Sequence, residues 1–224
     1  GVGMVPAVPS EDAGRQREYP MFFRKDSDGQ WQSVALLGFE QRENLFLQNG
    51  RWSAAYLPGA AAKGPFLIGF QEQHIDGELR QEPVIHIDLD HPRVNHAEGE
   101  AVFLPQGGNS PYLEHIATVL RGIRDGSEFG SAMFSAFDSM GLIQPVNLDV
   151  QLDERYRVNV NGLHSIDRDR LAALDAESLA QLNRAGYLEG AYLVLASLQN
   201  MRRLMAEKQR RLRDQDAAIS EGSS

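Results

Sequence analysis

Leu45-Phe46-Leu47-Gln48-Asn49-Gly50-Arg51-Trp52-Ser53-Ala54-Ala55-Tyr56 places an Asn-Gly pair between two apolar runs. Asn and Gly both tolerate positive φ, which a two-residue type I′ turn needs at its two central positions, so the stretch predicts a β-hairpin. Hairpins join antiparallel neighbours. The same pattern recurs on either side. Upstream, Tyr19 to Arg24 is a compact aromatic run, Asp26-Ser27-Asp28-Gly29 is a turn, and Trp31 to Phe39 is apolar and partly alternating. Downstream, Pro58-Gly59 closes the hairpin and a small-residue loop, Ala60 to Gly64, follows. Phe66 to Phe70 and Val84 to Leu89 then read as strands with Asp76-Gly77 turning between them. Val146 to Leu152 and Tyr156 to Val160 alternate around Asp153-Glu154, which predicts one more hairpin.

Helical patterns enter late. Ser110 is placed to cap a helix that has Pro111 at its first position, with Ile116, Val119, Leu120 and Ile123 on one face. Ser127 to Met140 predicts a second helix ending at Gly141 and Pro145. Asp167 to Leu174 and Glu177 to Ala185 are short helices, and the last helix is expected from Tyr187 to Arg213. Strands first and helices later, with no regular alternation, predict an α+β fold. Its sheet is mainly antiparallel and comes from the N-terminal two-thirds. Helices are expected over 110–140 and in a C-terminal segment over 167–213. Residues 1–17 carry Pro6, Pro9 and Gly14 without apolar period and are expected to form a flexible arm. Residues 18–213 then form a single domain, and 214–224 are expected to be a disordered tail.

Composition narrows the function classes. The 224 residues carry 22 basic and 31 acidic side chains, a net charge of −9, which argues against a nucleic-acid-binding surface over the whole protein and against broad attachment to anionic membranes. With no cysteine, thiolate metal sites, cysteine nucleophiles and disulfides are excluded. No apolar run approaches the roughly 18–20 residues of a membrane-spanning helix, so no membrane insertion is expected. The start, Gly1-Val2-Gly3-Met4, lacks the basic region and apolar run of a secretory signal, and the chain is expected to be cytoplasmic.

The most suggestive chemical segment is Pro83-Val84-Ile85-His86-Ile87-Asp88-Leu89-Asp90-His91-Pro92. In a strand His86, Asp88 and Asp90 share one face with Val84, while Ile85, Ile87 and Leu89 line the other. The ordinary reading is an antiparallel edge strand with its apolar face buried and its polar face in water. The chemical alternative is a non-haem iron oxygenase in which His86, Asp88 and the distant His164 bind Fe(II) as two histidines and one carboxylate, leaving open positions for oxygen and a co-substrate. Outside that alternative no cofactor is expected. Gly107-Gly108-Asn109-Ser110-Pro111 precedes a helix, but no Gly-Lys-Ser/Thr follows, and no Gly-x-Ser-x-Gly elbow is present. Trp31 and Trp52 flank turns. They are candidates for ligand stacking, although burial as core is the commoner use of an indole.

Along the last helix Tyr187, Ala191, Val194, Leu198, Met201, Met205 and Leu212 form a seam on steps of four and three, with Lys208 interrupting. Docking on the protein's own sheet accounts for most of it. Beyond Met201, where Arg202, Arg203, Lys208, Arg210, Arg211 and Arg213 surround few apolar residues, Met201, Met205 and Leu212 are the candidates for a protein partner or a second copy.

The order of short motifs resembles the SapC-like family of bacterial proteins. The resemblance is carried by Tyr19-Pro20-Met21-Phe22-Phe23, Leu37-Gly38-Phe39, Glu43-Asn44-Leu45-Phe46, Trp52, Tyr56-Leu57-Pro58 and Gly64-Pro65-Phe66. It continues through Gly141-Leu142-Ile143-Gln144-Pro145, Asn161-Gly162-Leu163, Leu179 with Leu182, Gly186 and Ala196-Ser197-Leu198-Gln199-Asn200. The sequence departs from the family pattern at Lys63-Gly64 and in its histidine-rich 86–96 segment. The resemblance implies a role around nutrient uptake or peptide and protein processing, and supplies no catalytic residues. Together these readings give the expectation of a non-enzymatic accessory or binding protein acting with a protein partner.

Overall fold

Trp31–Gln41 is buried on both faces from Ser33 to Phe39, as a central strand must be, and the strands around it are antiparallel. In the computed structural model, which describes residues 2–7, 18–75 and 78–222, β1 (Val2–Ala7) and β2 (Met21–Lys25) pair on its two sides as neighbours of β3 (Trp31–Gln41). Asp26 Oδ1 accepts the amides of Asp28 and Gln30, both at 2.9 Å, and Gly29 at φ 77° closes the β2–β3 turn. Val2–Ala7 therefore forms an edge strand where the sequence suggests an arm, because β3 offers it an unpaired edge. The rest of the expected arm, 8–17, lies outside the described residues.

The Asn-Gly hairpin is present as β4 (Leu47–Gln48) and β5 (Arg51–Trp52). Asn49 at φ 50° and Gly50 at φ 75° supply the two positive values that a type I′ turn requires. A short helix, α1 (Gly59–Ala62), leads into β6 (Phe66–Ile75) and β7 (Glu78–Ile87), which pair along their whole length as a two-stranded ribbon. The expected Asp76-Gly77 turn lies outside the described residues.

The two helices expected over 110–140 are one 29-residue helix, α2 (Pro111–Ser139). Ser110 Oγ accepts the Leu113 amide at 3.2 Å as an N-cap. Glycines at 122, 126 and 130 lower helix propensity by about 1 kcal/mol each but do not remove a backbone donor, so the helix passes through them. Next, β8 (Ile143–Gln151) and β9 (Arg157–Ile166) complete a five-stranded antiparallel sheet of order β1-β3-β2-β9-β8. Asp167 and Asp175 cap α3 (Arg168–Ala172) and α4 (Ala176–Arg184) through amides at the helix starts.

The expected last helix is interrupted. α5 (Tyr187–Ser197) is followed by a 3₁₀ turn at Leu198–Asn200 and then by α6 (Met201–Gly222). The break has a local cause. Ser197 Oγ donates to Val194 O at 2.6 Å and accepts the Met21 amide at 2.9 Å, while Asn200 Nδ2 donates to Tyr19 O at 3.2 Å. Side chains drawn to the backbone leading into β2 tighten the ladder at that point. The helix also runs past Asp214 to Gly222. Pairs of Arg210 with Glu207 and Asp214, both at 2.8 Å, support that extension.

The chain divides into two compact units, Gly1–Pro58 with Gly126–Ser224, and Gly59–Asp125. The first has the large core, with Tyr19, Met21, Phe22, Phe23, Leu36, Phe39 and Phe137 among its fully buried large side chains. The second has a small one of Phe66, Leu113, Ile116 and Leu120, with Tyr112 packed edge-on to Phe66. Among the described residues no helix is long and apolar enough to cross a membrane.

Candidate functional site

Strand periodicity sorts the second unit's ribbon into two faces. The register pairs Phe66 with Ile87, Ile68 with Ile85, Phe70 with Pro83 and His74 with Leu79, so these residues share one face. Leu67, Gly69, Val84 and His86 share the other, where a Cβ on Gly69 would collide with the His86 imidazole. The apolar face is only partly covered. Phe66 is buried against the start of α2, but Phe70 and Leu79 are each 57% exposed, with the polar pair Glu72–Gln81 between them, and Ile85 and Ile87 are exposed further along the same face. Leu89, just past the strand, is 69% exposed. Ile68, Pro83, Ile85, Ala117, Leu120 and Arg121 line a largely apolar groove of about 280 Å³ between the ribbon and α2. A sequence reading that finds an apolar strand face assigns it to a core. Here that face is left partly open among the described residues.

The first unit contains a charged cluster. Lys208, on the seam of α6, is 7% exposed and donates to Glu40 Oε1 and Glu43 Oε1, both at 2.7 Å. Glu43 Oε2 in turn accepts the amides of Phe39 at 2.8 Å and Glu40 at 3.2 Å. The ammonium also lies 4.8 Å from the Tyr156 ring centre. Burial pushes the Lys208 ammonium down, but the two carboxylates outweigh burial and its pKa is raised. The hydrogen bond from Lys208 lowers Glu40, and burial pushes the Tyr156 hydroxyl up to about 12. The sequence marked Lys208 as a break in an apolar seam and as one of the basic residues beyond Met201. Its partners lie some 165 positions away, and no local signal connects them. A groove of about 470 Å³ nearby is lined by Phe46, Ser53, Arg203, Leu204, Glu207 and Arg210, but Arg203 is paired with Glu18 and Arg210 with Glu207.

The residues singled out by sequence are distributed as follows. His86 is on β7 and Asp88 directly after it, both exposed, and Asp88 Oδ1 accepts the Asp90 amide at 3.1 Å. His164 is on β9, in the first unit. No group of three or more histidine or carboxylate side chains able to hold a metal ion occurs among the described residues. Trp31 is half-buried between Phe134, at 6.5 Å between ring centres, and His164, at 4.8 Å. Trp52 is half-buried against Phe46, and its indole donates to the Tyr19 hydroxyl at 2.8 Å. Met201 and Met205 pack on the first unit's own core, and Leu212 is half-buried.

His164 yields a pH prediction. Burial pushes its imidazole below its ordinary value and nearby Lys25 adds to this, outweighing a backbone hydrogen bond at Gly162, and Nδ1 is buried with no hydrogen-bond partner among the described residues. The folded chain therefore favours the neutral ring. As pH falls through about 6.5 the unfolded chain takes up the proton first, and stability is lost until the folded value is passed. Thermal midpoints measured from pH 7.5 to 5 should fall more steeply for the wild type than for His164→Gln. Parallel slopes would rule this out.

In comparisons with known proteins, residues 1–204 match the family model described as SapC. No curated protein and no solved structure matches the chain.

Proposed function

The chain belongs to the SapC family, and we propose that it is a non-enzymatic accessory protein that holds a protein partner on the ribbon of its second unit. In this reading it acts in the cytoplasm, in service of nutrient uptake or peptide processing. The observation that carries the reading is the bare apolar face of β6 and β7, with Phe70 and Leu79 each 57% exposed on one side of a two-stranded ribbon. Apolar side chains in water gain roughly 25 cal/mol per Å² when covered, and exposed apolar side chains gathered on one face, here Phe70, Ile85 and Ile87 with Leu79 beyond Glu72 and Gln81, are a common mark of a protein interface. The ribbon favours this reading over the C-terminal helix because Met201 and Met205 are already packed on the chain's own core.

The test uses the full chain expressed in its native host. A stoichiometric complex should be recovered with the wild type and lost with the Phe70→Ser/Leu79→Ser variant. Its thermal midpoint should be unchanged, because both side chains are mostly in water. Equal recovery with the variant, or a protein that purifies with no partner, would overturn the proposal.

A further inference from the structure

The last two helices are joined to the first unit by different kinds of contact. Before the 3₁₀ turn, α5 buries Ala191, Val194 and Ser197 and packs Leu188 and Leu195 against the core. After it, among the described residues of α6, Leu204 and Lys208 alone are buried, Met201, Met205 and Leu212 are half-buried, and 213–218 are exposed. Most of what ties α6 down is polar. Lys208 reaches Glu40 and Glu43, and Arg211 Nη2 donates to Leu45 O at 2.8 Å and to Leu47 O at 3.1 Å. Arg203 pairs with Glu18 at 2.9 Å and Arg155 with Asp216 at 2.5 Å. Leu204 and Glu207 line one groove with Leu45, Phe46 and Ser53, so α6 is not closely packed there. Leu45 and Phe46 are nevertheless only 2% and 5% exposed, and the Phe46 ring is stacked on Trp52.

We infer that α6 is a strap, hinged at the 3₁₀ turn and latched by Lys208, that opens as a unit and bares Leu45 and Phe46. This goes beyond the ribbon reading and does not depend on it. A 3₁₀ stretch inside a long helix often marks a hinge. Here Ser197 and Asn200 fasten the turn to the backbone at Met21 and Tyr19, so α6 swings from a fixed point and leaves α5 in place. An element with few buried apolar contacts opens locally at a lower free energy than the whole fold. The Glu207–Arg211 pair at 2.9 Å and the Arg210–Asp214 pair at 2.8 Å lie within α6 and support it as a helix when undocked. Salt screens the exposed ties of Arg203 and Arg155, and screens the buried Lys208 latch much less. The match to the SapC family ends at residue 204, so the latch lies beyond it.

The experiment is native-state hydrogen exchange on the full chain in sub-denaturing urea. Amides over 205–212 should open at least about tenfold more often than those of β3, with less than about half the urea slope, because only part of the buried surface is exposed. Arg155→Gln/Arg203→Gln removes two exposed pairs and leaves the core intact. It should raise opening over 205–212 by about two- to tenfold at about 50 mM salt and have little effect at about 500 mM. Lys208→Met should raise it by more than about tenfold at both. The chain has no cysteine, so Leu45→Cys introduces a single thiol. That thiol should be labelled with the urea slope of the 205–212 amides. If 205–212 and β3 follow one urea dependence throughout, α6 belongs to the core and the inference is overturned. It is overturned equally if Leu45→Cys is labelled only with the slope of β3, since α6 then frays without baring the groove.

Discussion

Lys208→Met is expected to cost about 2–3 kcal/mol of stability, because it removes the cation that faces a nearly buried carboxylate. Glu43 is 15% exposed and keeps its two backbone amides, but its other oxygen loses the 2.7 Å bond to the ammonium. A fully buried pair would lose about 3–5 kcal/mol, and the half-exposed Glu40 moderates the figure. For a chain of this length the thermal midpoint should drop by about 5–10 °C. Pairing Lys208→Met with Glu43→Gln should recover part of the loss, since a neutral amide can stay buried without a cation. The pH dependence has a defined sign. Lys208 is raised, so its contribution is intact through neutral pH and is lost only as pH climbs above the ordinary lysine range. Glu40 is lowered, so its share is lost as pH falls below about 4.5. Urea unfolding of the single and double variants checks all of this. A Lys208→Met protein within about 0.5 kcal/mol of wild type would mean the cluster is solvated in solution.

Phe23→Ala should be costlier still, by about 3–5 kcal/mol. The ring is fully buried, meets Phe134 edge-on at 4.9 Å and lies 6.3 Å from Phe137. β2 is hydrogen-bonded on one side to β3 and on the other to β9, so the backbone cannot shift inward to fill the void. Phe23→Leu keeps most of the volume and should cost less than half as much. Midpoints in urea with an unchanged denaturant slope would confirm a loss of packing. A loss below about 1 kcal/mol for Phe23→Ala would show that α2 closes over the site.

Features encoded within a few residues were legible. Asn49-Gly50, the Asp26 turn and the Asp167 and Asp175 caps each contain both donor and acceptor, or the required φ, within about four positions. The alternation of Ile85, Ile87 and Leu89 was equally plain. The interruption of the last helix was not, because the groups that tighten it at Ser197 and Asn200 belong to Tyr19 and Met21, 181 and 176 positions away. The resemblance to the SapC family was carried by short motifs spread from Tyr19 to Asn200, and the match to the family over residues 1–204 agrees with it.

By itself the sequence determined the antiparallel pairing, the α+β class, most strand and helix positions and the overall acidity, all of which depend on local φ preference, side-chain periodicity and charge count. Only the tertiary structure decided that Lys208 has two carboxylate partners and that the apolar face of the ribbon stays open to water. A residue's neighbours in sequence settle which way its side chain points. What that side chain meets depends on how distant chain segments pack together, and no residue carries that information alone.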